Sequence, residues 1–191
     1  IGDASTSEGP FWETINAAAV MKVPLATCIW DDGYGISVPV EMQTVKGSIS
    51  KALEGFYLDE NNNGIRIYAI KGWDYPALVE TFESGIAKMR KTHIPAVFHI
   101  QELTQPQGHS TSGSHERYKS AERLAWEKEF DGILCMGEWM MESGFATVPL
   151  FMIFVVTPSY SMKGILVFFR EGSNWASFCS TPTSIWPIWC V

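Results

Sequence analysis

Cysteine is scarce and scattered. The 191 residues hold four, at positions 28, 135, 179 and 190, with no C-x-x-C pair. That excludes a disulfide-framed miniprotein and a zinc ribbon, and it suits a reducing compartment, the cytoplasm. Basic charge is also short: 14 Lys and Arg stand against 21 Asp and Glu, a net charge of −7. A general nucleic-acid binder needs a basic face, so that class is excluded. Long apolar runs are missing too. The longest, "VPLFMIFVV" at 148–156, is stopped by "TPSYSMK", whereas a membrane-spanning helix needs roughly 20 apolar residues. No membrane span is therefore expected. There is no internal repeat, no basic-then-apolar leader and no initiator Met, so the chain reads as a fragment.

What is present describes a globular chain: 46% hydrophobic residues and 18% charged. Residues 1–147 alternate between apolar runs of strand length and helical patterns. "IGD" reads as the end of a strand. Ser5 and Glu8 have capping-box spacing, so a helix is expected over "EGPFWETINAAAVMK". "LATCIW" (25–30) reads as a buried parallel strand, "SISKALEGF" (48–56) as a short helix and "IRIYAI" (65–70) as a strand. Asp74 should cap a helix whose Leu78, Phe82, Ile86 and Met89 share one face. "PAVFHIQ" (95–101) is a further strand, "TQPQGHSTSGSHERY" (104–118) a long polar loop, and two helices should follow near 121–143. This order predicts an α/β fold, a parallel sheet flanked by helices. After Thr147 the character changes. Residues 148–191 carry only Lys163, Arg170 and Glu171 as charges and show no coherent periodicity. They are expected to lie outside the 1–147 domain.

In parallel α/β sheets ligands bind beyond the carboxyl ends of the strands. Asp3, Asp31, Asp32 and the His109 loop all follow predicted strand ends, so one rim can hold them. Asp3 and Asp32 could together bind a hard cation such as Mg²⁺. The helix start at "STSEG" offers free N–H groups to a phosphate. The residue types alone leave a plainer reading open, in which Gly2-Asp3 is a strand-end turn and Asp32-Gly33 a tight turn. "DENNNG" (59–64) matches the first half of an EF-hand loop, but Ile70 stands where the bidentate Glu is required, so a solvated loop is expected. His93 and His99 have no partner motif, and His99 reads as structural. His115 is expected to be solvated.

Asp32 follows Asp3 by 29 positions (32 minus 3). The segment "GDASTSEGPFWETINAAAVMKVPLATCIWDDGYGISVP" resembles the thiamine-diphosphate motif, GDG followed about thirty residues later by NN. More narrowly, its S-E-G, N-A-A and G-Y-G-I-S-x-P features resemble the α subunit of the decarboxylating component of 2-oxoacid dehydrogenases. "GHSTSGSHERY" resembles the cofactor loop of the same family, and "TQPQGHSTSGSHERYKS" looks most like its bacterial branched-chain members. The resemblance covers residues 1–147. It implies a thiamine-diphosphate-binding fold lacking its N-terminal strands. It also implies oxidative decarboxylation of a 2-oxoacid, pyruvate or branched-chain, with acyl transfer to lipoamide. Asp3, Asp32 and the Tyr34 carbonyl would hold Mg²⁺. Ala4, Ser5 and Glu8 would line the diphosphate site. His109 would reach the diphosphate from its loop, as the catalytic residue of this chain.

Several positions depart from the family pattern. Ala4 replaces the second glycine of GDG, and its methyl could crowd a close backbone approach. Asp31-Asp32 replaces Asn-Asn, which should make cofactor binding more metal-dependent. Gly113 and Lys119 stand where many relatives carry an acid and an Arg. The resemblance also implies partners: a β subunit or fused β half supplying the glutamate that activates the cofactor, in a heterotetramer, and a lipoyl-bearing acyltransferase. No residue here takes the glutamate's role, because Glu80, Glu83, Glu127 and Glu129 are expected on solvent-facing helix surfaces. The isolated chain is therefore expected to be inactive. A transketolase-like enzyme is a rival, although it lacks the "GHSTS" loop. A non-catalytic, cation-binding fragment is another.

Overall fold

The computed structural model describes residues 1–106, 108, 109 and 115–146, and the backbone of two strands at 168–171 and 174–177. The chain divides into two units, Ile1–Met136 and Gly137–Val191. In the first, helix α1 (Gly9–Met21) leads to strand β1 (Ala26–Trp30) and a small hairpin of β2 (Tyr34–Gly35) and β3 (Val38–Pro39). A short helix α2 (Ile49–Ala52), strand β4 (Arg66–Lys71), long helix α3 (Tyr75–Thr92), strand β5 (Ala96–Gln101) and helix α4 (Ala121–Glu129) follow. Helix α5 (Gly132–Glu142) spans the division between the units. In the second unit β6 (Phe168–Glu171) pairs antiparallel with β7 (Asn174–Ser177). The apolar run at 148–156 lies outside the described residues. Among the described residues no helix is long and apolar enough to cross a membrane.

The main sheet is parallel, in the order β1-β5-β4. Strand β5 is central and buried along nearly its whole length, and its alternating residues feed two cores. Val97 packs with Phe11 and Ile15 of α1, Ile29 of β1, and Ile49 and Leu53 near α2. Ala96, Phe98 and Ile100 face the other way, toward Met89, Phe82, Leu78 and Ile86 of α3. The α3 stripe predicted from spacing is therefore the face that packs on the sheet. Helix α3 comes close because Gly85 has no side chain: a Cβ there would lie 2.8 Å from the Phe98 ring. Asp74 caps α3 as expected, accepting from the Ala77 amide at 3.1 Å.

Two local expectations need correction. The Ser5–Glu8 capping box does not form. Ala4–Ser7 make a 3-10 turn, Glu8 is itself the N-cap of α1, and no side chain caps that helix. The turn is closed instead by Thr6, whose hydroxyl and amide both donate to the Asp3 carbonyl. Strand β1 is also less buried than its apolar composition suggested, because only Ile29 is fully covered. Its outer edge carries a single described bridge, Gly2 to Trp30.

Candidate functional site

The carboxyl ends of β1 and β5 and the chain start converge at one rim. The Asp3 amide donates to the Trp30 carbonyl at 3.0 Å, which sets Asp3 beside the end of β1. Asp31 follows β1 directly. Its amide donates to Ile100 of β5, and its carbonyl accepts from Leu103. The next turn is made by side chains. Asp31 Oδ1 accepts from the Gly33 amide at 2.8 Å, and Asp32 Oδ1 from the Tyr34 amide at 3.1 Å. Gly33 has φ +81°, a conformation glycine adopts without strain.

Asp3, Asp31 and Asp32 are all buried at this rim. Burial first, and then the charge of Asp31, push the Asp3 carboxyl up from 3.8 to about 6. Asp32 adds to the push, and the Ala4 amide opposes it. The Asp32 carboxyl is raised as well, chiefly by burial, against the Tyr34 amide and the Lys119 charge. Buried acids whose carboxyls are pushed up, as those of Asp3 and Asp32 are, suit a divalent cation. Among the described residues no group of three His, Cys, Asp or Glu side chains could hold a metal by itself. A cation bound through Asp3 and Asp32 would thus need backbone carbonyls and oxygens from a ligand.

The remaining predicted residues spread around this rim. Ala4 directs its methyl at the hairpin: a Cβ on Gly35 would come within 2.9 Å of it, and within 2.5 Å of Gln43 Oε1. Ser5 and Glu8 are exposed on the turn leading into α1. His109 is exposed near the start of the loop between β5 and α4. Its backbone hydrogen-bonds the Tyr118 hydroxyl, and the Tyr118 ring lies 5.6 Å from that of Tyr34. The base of the loop is thereby tied to the turn, while the "STSGS" stretch lies outside the described residues. His115 is mostly covered rather than solvated, packed beside Gly108 with Nε2 3.5 Å from Glu116. The Asp59 loop is as expected: Asp59 Oδ1 accepts from the Asn61 and Asn63 amides in an exposed turn.

A cleft of about 220 Å³ opens here, lined in part by Asp31, Asp32, Gly33, Glu102 and Arg123. A larger hollow of about 350 Å³ runs beside β4 near Tyr57 and Tyr68, but no acid or histidine lines it. Only the smaller one is lined by acids.

Sequence reasoning missed the charged support beneath the turn. Glu127, expected at a solvent-facing surface, is 1% exposed. Both its oxygens accept from Lys119 Nζ, at 2.7 and 2.9 Å, and Arg123 Nε donates at 2.8 Å. Burial works to raise the Glu127 carboxyl, but these hydrogen bonds outweigh it and hold it below the usual range. Arg123 also donates to the Asp32 carbonyl at 2.8 Å, and its guanidinium lies over the Tyr34 ring. The i,i+4 spacing of Arg123 and Glu127 was a visible signal; Lys119, before the helix, was not.

A family model for the dehydrogenase E1 component matches residues 1–150. The chain belongs to the dehydrogenase E1 component family. It is 23% identical over 147 residues to the pyruvate dehydrogenase E1 component subunit alpha of Rickettsia bellii, an alignment covering 77% of this chain and 42% of that protein. It is 31% identical over 126 residues to the 2-oxoisovalerate dehydrogenase subunit alpha 2 of Arabidopsis thaliana (65% and 25%). It is also 31% identical over 125 residues to the 3-methyl-2-oxobutanoate dehydrogenase subunit alpha of Mycobacterium tuberculosis (65% and 32%). The chain spans less than half the length of each of these relatives.

Proposed function

We propose that this chain binds thiamine diphosphate and Mg²⁺ as the α-type part of a 2-oxoacid dehydrogenase that acts in the cytoplasm on pyruvate or a branched-chain 2-oxoacid. The observation that carries this reading is the cluster of buried acids at the sheet rim, with Asp3 pushed up to about 6 by burial and by the neighbouring Asp31 charge. Asp3, Asp32 and the Tyr34 carbonyl hold the cation. Ala4, Ser5 and Glu8 line the diphosphate at the approach to α1, whose amides favour an anion. His109 reaches the diphosphate from the loop. The cofactor supplies the electron sink for decarboxylation, and the acyl group passes to a lipoyl-bearing acyltransferase.

The activating glutamate comes from a β subunit or a fused β half. Glu127, the one buried glutamate among the described residues, is held by Lys119 and Arg123, which makes it unsuited to that work. The isolated chain therefore binds without turning over, and residues 148–191 stand outside the cofactor domain.

Calorimetry tests the reading. Thiamine diphosphate binds in the presence of Mg²⁺ and little in chelator, Asp3→Ala abolishes the difference, and Asp59→Ala leaves it. Equal binding in Mg²⁺ and chelator would refute the metal assignment, and no binding in either would refute the reading. Oxoacid-dependent reduction of an artificial acceptor by the chain alone would refute the assignment of the missing glutamate.

A further inference from the structure

The proposed cation site uses Asp32 and leaves its neighbour Asp31 unexplained. It also leaves unexplained why a histidine sits at the centre of the most buried strand. His99 is 0% exposed, flanked in β5 by Phe98 and Ile100. A buried imidazole is costly unless both ring nitrogens find partners. Both do: Nε2 lies 2.7 Å from Asp31 Oδ2, and Nδ1 lies 2.6 Å from Ser50 Oγ.

The chemistry of the partners sets the proton positions. A carboxylate only accepts, so Nε2 carries the hydrogen and donates to Asp31. Nδ1 shares the second hydrogen bond with the Ser50 hydroxyl, which can donate or accept. With Nε2–H donating to Asp31, both ring nitrogens have partners at once. The three side chains come from α2, β5 and the end of β1, and all are buried. The relay thus ties the sheet interior to the rim.

Asp31 passes the constraint on. Its second oxygen, Oδ1, accepts from the Gly33 amide at 2.8 Å, and its backbone is pinned on both sides, to Ile100 and Leu103. With both oxygens committed to His99 and Gly33, Asp31 shapes the turn and Asp32 is the acid left to bind a cation. We infer that His99 is a positioning residue for the cation site: held by Ser50, it fixes Asp31, and through Asp31 the Gly33 turn that presents Asp32 and Tyr34. This rests on the proposed cation and diphosphate site.

The test uses the 191-residue chain, with the Mg²⁺ concentration that half-saturates thiamine diphosphate binding and the exchange of the Gly33 amide as two separate readouts. Removal of groups that orient metal ligands costs about 10- to 100-fold in affinity. In His99→Leu the half-saturating Mg²⁺ rises about tenfold, the low end of that range because His99 acts through Asp31, and Gly33 exchange quickens with it. His99→Gln, whose amide can donate to Asp31 and accept from Ser50, restores most of both. A role in stability alone would lower the melting temperature of both variants and leave the Mg²⁺ requirement unchanged. If His99→Leu does not fold, Ser50→Ala is read the same way, and both readouts shift in the same direction. Nitrogen chemical shifts of His99 in the unaltered chain show Nε2 protonated. Normal binding by the unaltered chain, with the same Mg²⁺ requirement and Gly33 exchange in a folded His99→Leu, or Ser50→Ala in its place, overturns this inference alone. Nδ1 protonated with Nε2 bare overturns it too. No Mg²⁺-dependent binding by the unaltered chain overturns the cofactor reading with it.

Discussion

Asp3 offers a quantitative test of the acid cluster. In the metal-free chain its carboxyl is pushed from 3.8 to about 6, by burial, then Asp31, then Asp32. A raised carboxyl binds its proton more tightly in the folded state than in the unfolded one. Its contribution to stability is therefore full below about 3.8 and is lost as pH rises through about 6. The interval between the two values corresponds to about 3 kcal/mol at 1.36 kcal/mol for each pH unit. Asp3→Asn keeps the shape and an oxygen for the Ala4 amide but cannot ionise. Urea unfolding of both chains in chelator reads the effect of Asp3 together with its coupling to Asp31 and Asp32, since titrating groups that do not interact with Asp3 cancel in the difference. Between about pH 4 and pH 7 the stability of Asp3→Asn relative to the native chain should rise by roughly 2 to 3 kcal/mol. Adding Mg²⁺ and thiamine diphosphate should then stabilise the native chain at neutral pH and leave the variant almost unaffected. A difference flat with pH would show that Asp3 ionises without penalty, and the argument for a cation at this rim would fail.

Three further outcomes are expected. Glu127→Ala strands the buried Lys119 ammonium and should cost about 3–5 kcal/mol in urea unfolding; because the Glu127 carboxyl is held low, its contribution is present at neutral pH and disappears as pH falls through the folded value. Gly85→Ala should lower the melting temperature despite alanine's helix preference, since its Cβ would lie 2.8 Å from the Phe98 ring, and such overpacking costs about 1–3 kcal/mol; an unchanged or higher value would contradict the close seat of α3 on β5. Amide exchange across residues 104–118 should slow when thiamine diphosphate and Mg²⁺ bind, because the sequence of this polar loop has no apolar anchor before Tyr118 to offset ordering; unaltered exchange would count against His109 as a ligand.

Local sequence determined those features whose causes lie within a few residues. The α3 stripe from Leu78 to Met89, its Asp74 cap, and the β-branched runs that became β4 and β5 were legible because helix and strand periods are local. So was the candidate cation pair, because Asp3 and Asp32 each follow an apolar run and a parallel sheet brings strand ends to one rim. What escaped depended on partners far along the chain. Glu127 has a solvent-facing look until Lys119, eight residues earlier, meets it in the interior. Ser5 is a local exception: it has the spacing of a cap, but its neighbour Thr6 and the Asp3 carbonyl close the turn first. His99 sits in an apolar strand with no motif beside it, and its meaning comes from Ser50, 49 residues away, and Asp31, 68 away. The strand order β1-β5-β4 is likewise a matter of crossovers. It seats β5 between the other two strands, and that central placement buries the histidine whose two ring nitrogens must then be satisfied from opposite directions.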